Sequence, residues 1–218
     1  MAIRIVCFDL GGVVVRICHS FIEAAQTAGL QFLDDSRLHE PDAIARRREL
    51  ILAHQVGAMT MQQYCEQMSA ALEGLYSADQ VRALHAAWLL EEYPGVHELM
   101  EELSERTDVQ LACLSNTNDG HWEQMHGSQQ IFRSFARLNL RLASHLMQLA
   151  KPELAIYHSA ISSFGCRPDE VLFFDDLPEN VLAARDAGWN AERIDPKGDT
   201  AAQMRGHLGV HAVLLPQA

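Results

Sequence analysis

The stretch Ile5-Val6-Cys7-Phe8-Asp9-Leu10-Gly11-Gly12-Val13 constrains the fold of this chain more than any other. An apolar run with β-branched residues, stopped by turn residues, is the pattern of a buried parallel strand. Ligands of open α/β sheets collect outside the carboxyl ends of such strands, which places Asp9 where chemistry is usually found. Two later runs repeat the design. Val109-Gln110-Leu111-Ala112-Cys113-Leu114 leads into Ser115-Asn116-Thr117-Asn118, and Val171-Leu172-Phe173-Phe174 leads into Asp175-Asp176. Helical patterns lie between these runs, and strands alternating with helices predict a doubly wound, Rossmann-like parallel sheet, an α/β fold.

The pattern changes over roughly residues 19–90. Strand signals give way to helical ones at 21–28, 41–55, 60–72 and 77–90, with Gly29, Gly57 and Gly74 as stops and Thr60 and Ser77 as N-caps. The expectation is an α/β core made of residues 1–16 and 93–218, and an inserted all-helical cap domain over 17–92. Within the core, Tyr93-Pro94-Gly95-Val96 opens a helix that runs to about Arg106, and a less regular region holds Trp122 and a short strand near residues 138–142. Pro152 suits the first turn of a helix closed by Gly165; Pro178 opens another, closed by Gly188. A strand near 191–194 and a short helix finish the chain.

Three polar clusters at strand ends, Asp9, Ser115-Asn116 and Asp175-Asp176, therefore share one edge of the sheet, with Lys151 just ahead of a helix. Three carboxylates brought together repel one another, and one takes up a proton unless a cation intervenes. Mg²⁺ and the Lys151 ammonium relieve that repulsion, since Mg²⁺ favours one or two carboxylates together with phosphate oxygens. The Ser115 hydroxyl and the Asn116 amide suit phosphoryl oxygens, and a helix N-terminus beside Lys151 favours an anion. The set points to phosphoryl transfer.

The motifs Phe-Asp-Leu-Gly-Gly-Val, Leu-Ser-Asn-Thr, Lys-Pro and Phe-Phe-Asp-Asp-Leu-Pro-Glu-Asn, in this order, resemble those of the haloacid dehalogenase superfamily. The resemblance covers about residues 3–15 and 94–195, and the helical insert sits where that family carries its first-type cap. Among its members the chain looks most like the glucose-1-phosphate phosphatase-like group and the N-terminal phosphatase domain of soluble epoxide hydrolases. The resemblance implies an aspartyl-phosphate mechanism with Asp9 as nucleophile and metal ligand. It assigns Ser115, Asn116 and Lys151 to the phosphoryl group, and Asp176, Asp175 and the Gly11 carbonyl to Mg²⁺, with Asn180 steadying the loop. One position departs from the family pattern. Most family phosphatases carry a second Asp where this chain has Gly11, and that Asp serves as general acid and base. Losing such a group costs ~10²–10⁴-fold in rate.

The first expectation is thus a Mg²⁺-dependent phosphatase of a small phosphorylated metabolite, a sugar phosphate among the candidates. A catalytically impaired binding or regulatory homologue is the alternative that Gly11 raises, and a metal-independent 2-haloacid dehalogenase is a third. The net charge of −12 speaks against nucleic acid or an anionic membrane as partner. Five single cysteines, with no CxxC pair, suit reduced thiols, and with no signal peptide or membrane span in the sequence the expectation is a cytoplasmic monomer or homodimer. In the insert, His54 and Trp88 are candidate substrate contacts, Arg46-Arg47-Arg48 reads as a solvated face, and His121 and His126 in the core read as surface residues.

Overall fold

The computed structural model describes residues 2–127 and 131–214. Its strands are β1 (Ile5–Phe8), β2 (Val15–Ile17), β3 (Leu89–Glu92), β4 (Gln110–Ser115), β5 (Leu140–Ala143), β6 (Val171–Asp175) and β7 (Asn190–Arg193). The insert contains helices α1 (Phe21–Thr27), α2 (Pro41–Gln55), α3 (Met61–Ala71) and α4 (Ala78–Ala86). After it come α5 (Val96–Ser104), α6 (Asp119–Gly127), α7 (Ser144–Met147), α8 (Leu154–Phe164), α9 (Pro178–Asp186) and α10 (Thr200–Val210).

Five strands form one sheet in the order β5-β4-β1-β6-β7, and every pairing in it is parallel. This is the expected doubly wound sheet, with β1 at its centre. Every residue of β1 is buried, because helices cover both faces. Val6 and Phe8 pack with α5 and α10 residues such as Leu99, Met100 and Met204, while Ile5 and Cys7 pack on the other face with Ile156, Tyr157 and Val181 of α8 and α9. The period of two along the strand explains that division. It also explains why strands buried on both faces read as continuous apolar runs.

The four insert helices gather around an apolar cluster of their own, including Leu50, Met68, Leu72, Val81 and Leu84. Two antiparallel strands, β2 and β3, lead into and out of it. The sequence pattern reads residues 77–90 as one helix, but α4 ends at Ala86 and Leu89 starts β3. Cys18 N–H donates to the Trp88 carbonyl at 3.0 Å, so pairing with β2 draws the chain out of the helix. A short leucine-rich run fits either state by periodicity alone. Helices α3 and α4 start as expected, with Thr60 and Ser77 each closing a capping box with a glutamine three residues on.

Two close contacts seat the insert on the core. Gly57 adopts φ +71°, and a Cβ there would lie 2.8 Å from the His145 carbonyl oxygen, so only glycine lets the end of α2 touch α7. Beside it, the buried Ser144 hydroxyl lies 2.6 Å from the Gln55 carbonyl and accepts the Thr117 N–H at 2.9 Å. Elsewhere the core is more regular than the sequence suggests. The region around Trp122 is helix α6, started by Asn118, whose Oδ1 accepts the His121 N–H at 3.0 Å. The C-terminal helix is 11 residues long. Among the described residues no helix is long and apolar enough to cross a membrane. Thr60→Ala removes the first-turn cap of α3 and is expected to lower stability by about 1 kcal/mol in urea denaturation.

Candidate active site

The carboxyl ends of β1, β4 and β6 meet as the sequence requires. Asp9 directly follows β1, Ser115 is the last residue of β4, and Asp175 is the last of β6. Ligand oxygens of Asp9, Asp175 and Asp176 lie within 4.8 Å of one another. Into this group reaches Lys151, whose side chain is fully buried. Its Nζ lies 2.6 Å from Asp175 Oδ2 and 3.1 Å from Asp9 Oδ1.

Each member is held by a local device. Asp9 Oδ1 accepts the Leu10 N–H at 2.7 Å. Asp175 Oδ1 accepts the Leu177 N–H at 2.9 Å, and the Asn180 amide donates to both Asp175 oxygens at 3.0 and 3.1 Å. Asp175 is therefore saturated by protein donors. It fixes Lys151 and the loop, as Asn180 in turn fixes it, while Asp9 and Asp176 are the less committed carboxylates. Gly12 makes room for this. Its φ is +77°, and a Cβ there would sit 2.6 Å from Asp176 Oδ2. Gly11 also follows β1, where a Cβ would meet only the Ile17 side chain at 3.4 Å.

Asn116 differs from expectation. Its Nδ2 donates to the Lys151 carbonyl at 2.8 Å and its Oδ1 accepts the Lys151 N–H at 2.9 Å. That two-way clasp takes up the amide the sequence reading assigned to phosphoryl oxygens, so the Asn116 side chain positions Lys151 instead. It also holds Lys151 and Pro152 in a loop, and α8 starts only at Leu154, after Glu153. The helix N-terminus expected beside Lys151 is displaced accordingly.

One ammonium among three carboxylates leaves negative charge uncompensated. Burial is the main reason that the Asp9 carboxyl is pushed up to about 7; Lys151 opposes the shift, and Asp175 and Asp176 add to it. Asp176 is raised to about 6, again mainly by burial and then by Asp175. Burial works against the Lys151 charge, but Asp175 and Asp9 outweigh it and hold the ammonium above its ordinary range. An all-oxygen set carrying surplus negative charge fits a hard divalent cation such as Mg²⁺. Asp9 and Asp176 are the residues that would hold it.

Above this edge lies a cavity of about 260 Å³ between insert and core, reaching from Gly11 and Ser115 to Phe21, Met68 and Trp88. His54 and Trp88, candidate contacts from the sequence, both line it. Arg46, Arg47 and Arg48 do not. His121, read as a surface residue, is half-buried and stacks on His85 with ring centroids 3.9 Å apart. His54 in turn stacks on Tyr64 at 4.5 Å. The sequence gives no sign of Tyr64 and His85 at the site, nor of His121 beside them, because their spacing matches no ligand pattern; only the seating of the insert brings them together. His126 is exposed, as read.

A family model of haloacid dehalogenase-like hydrolases matches residues 3–188, and the chain belongs to that family of hydrolases. Among curated proteins it is 25% identical over 146 residues to the Mycobacterium tuberculosis phosphatase MT3486. It is 28% identical over 118 residues to (S)-2-haloacid dehalogenase 4A of Burkholderia cepacia. These alignments cover 66% and 54% of this chain and span 66% and 49% of the two relatives. The crystal structure of the HAD family enzyme BT-2542 from Bacteroides thetaiotaomicron shares the fold with a TM-score of 0.77 at 22% identity, over 94% of this chain and 100% of that one. The same enzyme has been solved in complex with magnesium and inorganic phosphate.

Two measurements test the electrostatics. Lys151→Met strands buried carboxylates, and the expected loss is about 3–5 kcal/mol in urea denaturation of the metal-free protein. The second concerns pH. Unfolded carboxyls titrate near 3.9, so between about pH 4 and pH 7 the folded chain binds more protons through Asp9 and Asp176 than the unfolded one. Stability of the metal-free protein at this site therefore falls as pH rises through that window. Mg²⁺ competes with those protons, and its rise in Tm is expected to be larger at about pH 8 than at about pH 5. An equal shift at both pH values would contradict the carboxylate assignment.

Proposed function

We propose that the chain is a Mg²⁺-dependent phosphatase of small phosphorylated metabolites that works through a phosphoaspartyl intermediate on Asp9. The observation that carries this reading is the buried Lys151 ammonium between Asp9 and Asp175, with Asp176 completing a cluster of three carboxylates. Bound Mg²⁺ supplies charge neutralisation and an anchor for phosphate oxygens. The residues do the rest. Leu10 N–H and Lys151 hold Asp9 Oδ1, so attack on phosphorus by Oδ2 leaves those contacts intact. Lys151 and Ser115 stand beside the incoming phosphoryl group, and the Gly11 carbonyl together with Asp176, supported by Asp175, serves the cation. Asn116 contributes by aiming Lys151. The helical insert acts as the cap that encloses the group to be released.

The names of relatives include both a phosphatase and a haloacid dehalogenase. The phosphatase reading is preferred because three neighbouring carboxylates without a cation make a poor receptor for a haloacid anion. Steady-state turnover of acetyl phosphate and p-nitrophenyl phosphate, with and without Mg²⁺, is the test. Both activated phosphates are expected to be hydrolysed, and removing Mg²⁺ or introducing Asp9→Asn is expected to reduce kcat at least about 10³-fold. No turnover of either compound by folded, Mg²⁺-loaded protein would overturn the reading. Chloride release from 2-chloropropionate without Mg²⁺ would replace it with dehalogenation.

A further inference from the structure

The cavity above Asp9 has three properties that bear on what leaves the phosphorus. First, among the described residues no Asp, Glu, Lys or Arg side chain lines it. Second, its wall is mainly apolar, and Phe21, Tyr64, Trp88, His54, His85 and His121 contribute rings to it. Third, its volume of about 260 Å³ exceeds the ~150 Å³ cavity known to admit benzene, so one ring with small substituents fits. A pocket without charge offers nothing to a second phosphate or a carboxylate. Its wall is mainly apolar, with Gln55, Thr117 and Asn118 among the polar exceptions, so most hydroxyls of a sugar would lack partners, which is costly.

The histidines do not change this, because burial disfavours their charged forms. His121 Nε2 lies 2.8 Å from the His85 carbonyl oxygen, which only accepts, so Nε2 carries the proton. Asn118 Oδ1 accepts the His121 N–H, which turns the Asn118 amide nitrogen toward His121 Nδ1 at 3.3 Å. Nδ1 is thus an acceptor, and a second ring proton would face an N–H donor. Burial holds His85 at about 2 and His121 at about 4, and lowers His54 despite Asp119. With Gly11 at the cavity mouth and buried rings above, the described lining holds no carboxylic acid that could protonate a departing oxygen, and the Tyr64 hydroxyl, pushed up to about 12, is a weak donor for that purpose. An alcohol must then leave as its alkoxide, whose conjugate acid titrates near water's ~15.7. A phenol leaves as a phenoxide, with a conjugate acid near ~10.

Resting on the phosphatase reading, we propose that the substrates are phenolic phosphate monoesters with a single uncharged ring, seated in the insert cavity. Asp9 Oδ2 bonds to phosphorus as the P–O bond to the ring breaks, and the phenoxide departs and takes its proton from solvent. Water then attacks the phosphoaspartate, releasing inorganic phosphate and restoring Asp9, so phosphomonoester and water yield phenol and phosphate. Ring recognition and leaving-group chemistry are separable. Benzylphosphonate has a ring and no scissile ester, and methylphosphonate has no ring.

The experiment uses Mg²⁺-loaded protein with acetyl phosphate, which needs no ring pocket, as reporter substrate. Benzylphosphonate is expected to inhibit with a Ki at least about tenfold below that of methylphosphonate. Phenyl phosphate is expected to exceed glucose 1-phosphate and glucose 6-phosphate in kcat/KM by at least about tenfold. Ile51→Asp, at a part-exposed lining position, is expected to erase most of the benzylphosphonate preference. Equal Ki values, or hexose phosphates turned over as well as phenyl phosphate, would overturn the inference while acetyl phosphate turnover leaves the phosphatase standing. No turnover of either acetyl phosphate or p-nitrophenyl phosphate would overturn both.

Discussion

A single buried ammonium holds the site together. Lys151 reaches Asp9 on one strand end and Asp175 on another, with its side chain fully out of solvent. An isolated charge in such a place is very costly, and so is each carboxylate without a partner. The surrounding architecture serves to keep these groups in register. Parallel pairing of β1 with β6 brings Asp9 and Asp175 to the same level. The Asn116 clasp at the end of β4 fixes the Lys151 backbone. Asn180 and the Leu177 N–H lock Asp175. Charge remains in excess after all of this, and an all-oxygen set with that excess would suit a divalent cation.

Strand ends and the polar residues that close them were legible in the sequence because both follow from local pattern. An apolar run buried on two faces and ended by a polar residue identifies Asp9, Ser115 and Asp175-Asp176 without further help, and parallel pairing brings them to one edge. Helix starts at Thr60 and Ser77 were equally local. Features that depended on partners far along the chain were not legible. Residues 89–92 became β3 because β2 stood opposite. Asn116 turned from a substrate contact into a clamp because Lys151 presents its backbone there. The His54, Tyr64, His85 and His121 stack draws on α2, α3, α4 and α6, so no window of sequence contains it.

Division of labour between the two parts follows from these origins. Carboxylates and ammonium come from strand ends and loops of the sheet, whereas most of the cavity wall comes from the insert. Ser144, Gln55 and the Gly57–His145 approach join the two parts through backbone groups and a buried serine. His121 on His85 and His54 beside Asp119 add to that joint from the wall itself, so the apolar wall residues are freer to vary than these histidines.

The two glycines at positions 11 and 12, just beyond Asp9, stand under different constraints. Position 12 is closed to change, since even a methyl group would strike the Asp176 carboxylate and the backbone lies in the left-handed region. Position 11 has no such barrier; a side chain there meets only Ile17, at ordinary contact distance, at the mouth of the cavity. One residue is thus held by mechanics and its neighbour is not. A lineage built on this scaffold can gain or shed an ionisable group beside Asp9 by one substitution without disturbing the carboxylate cluster beneath.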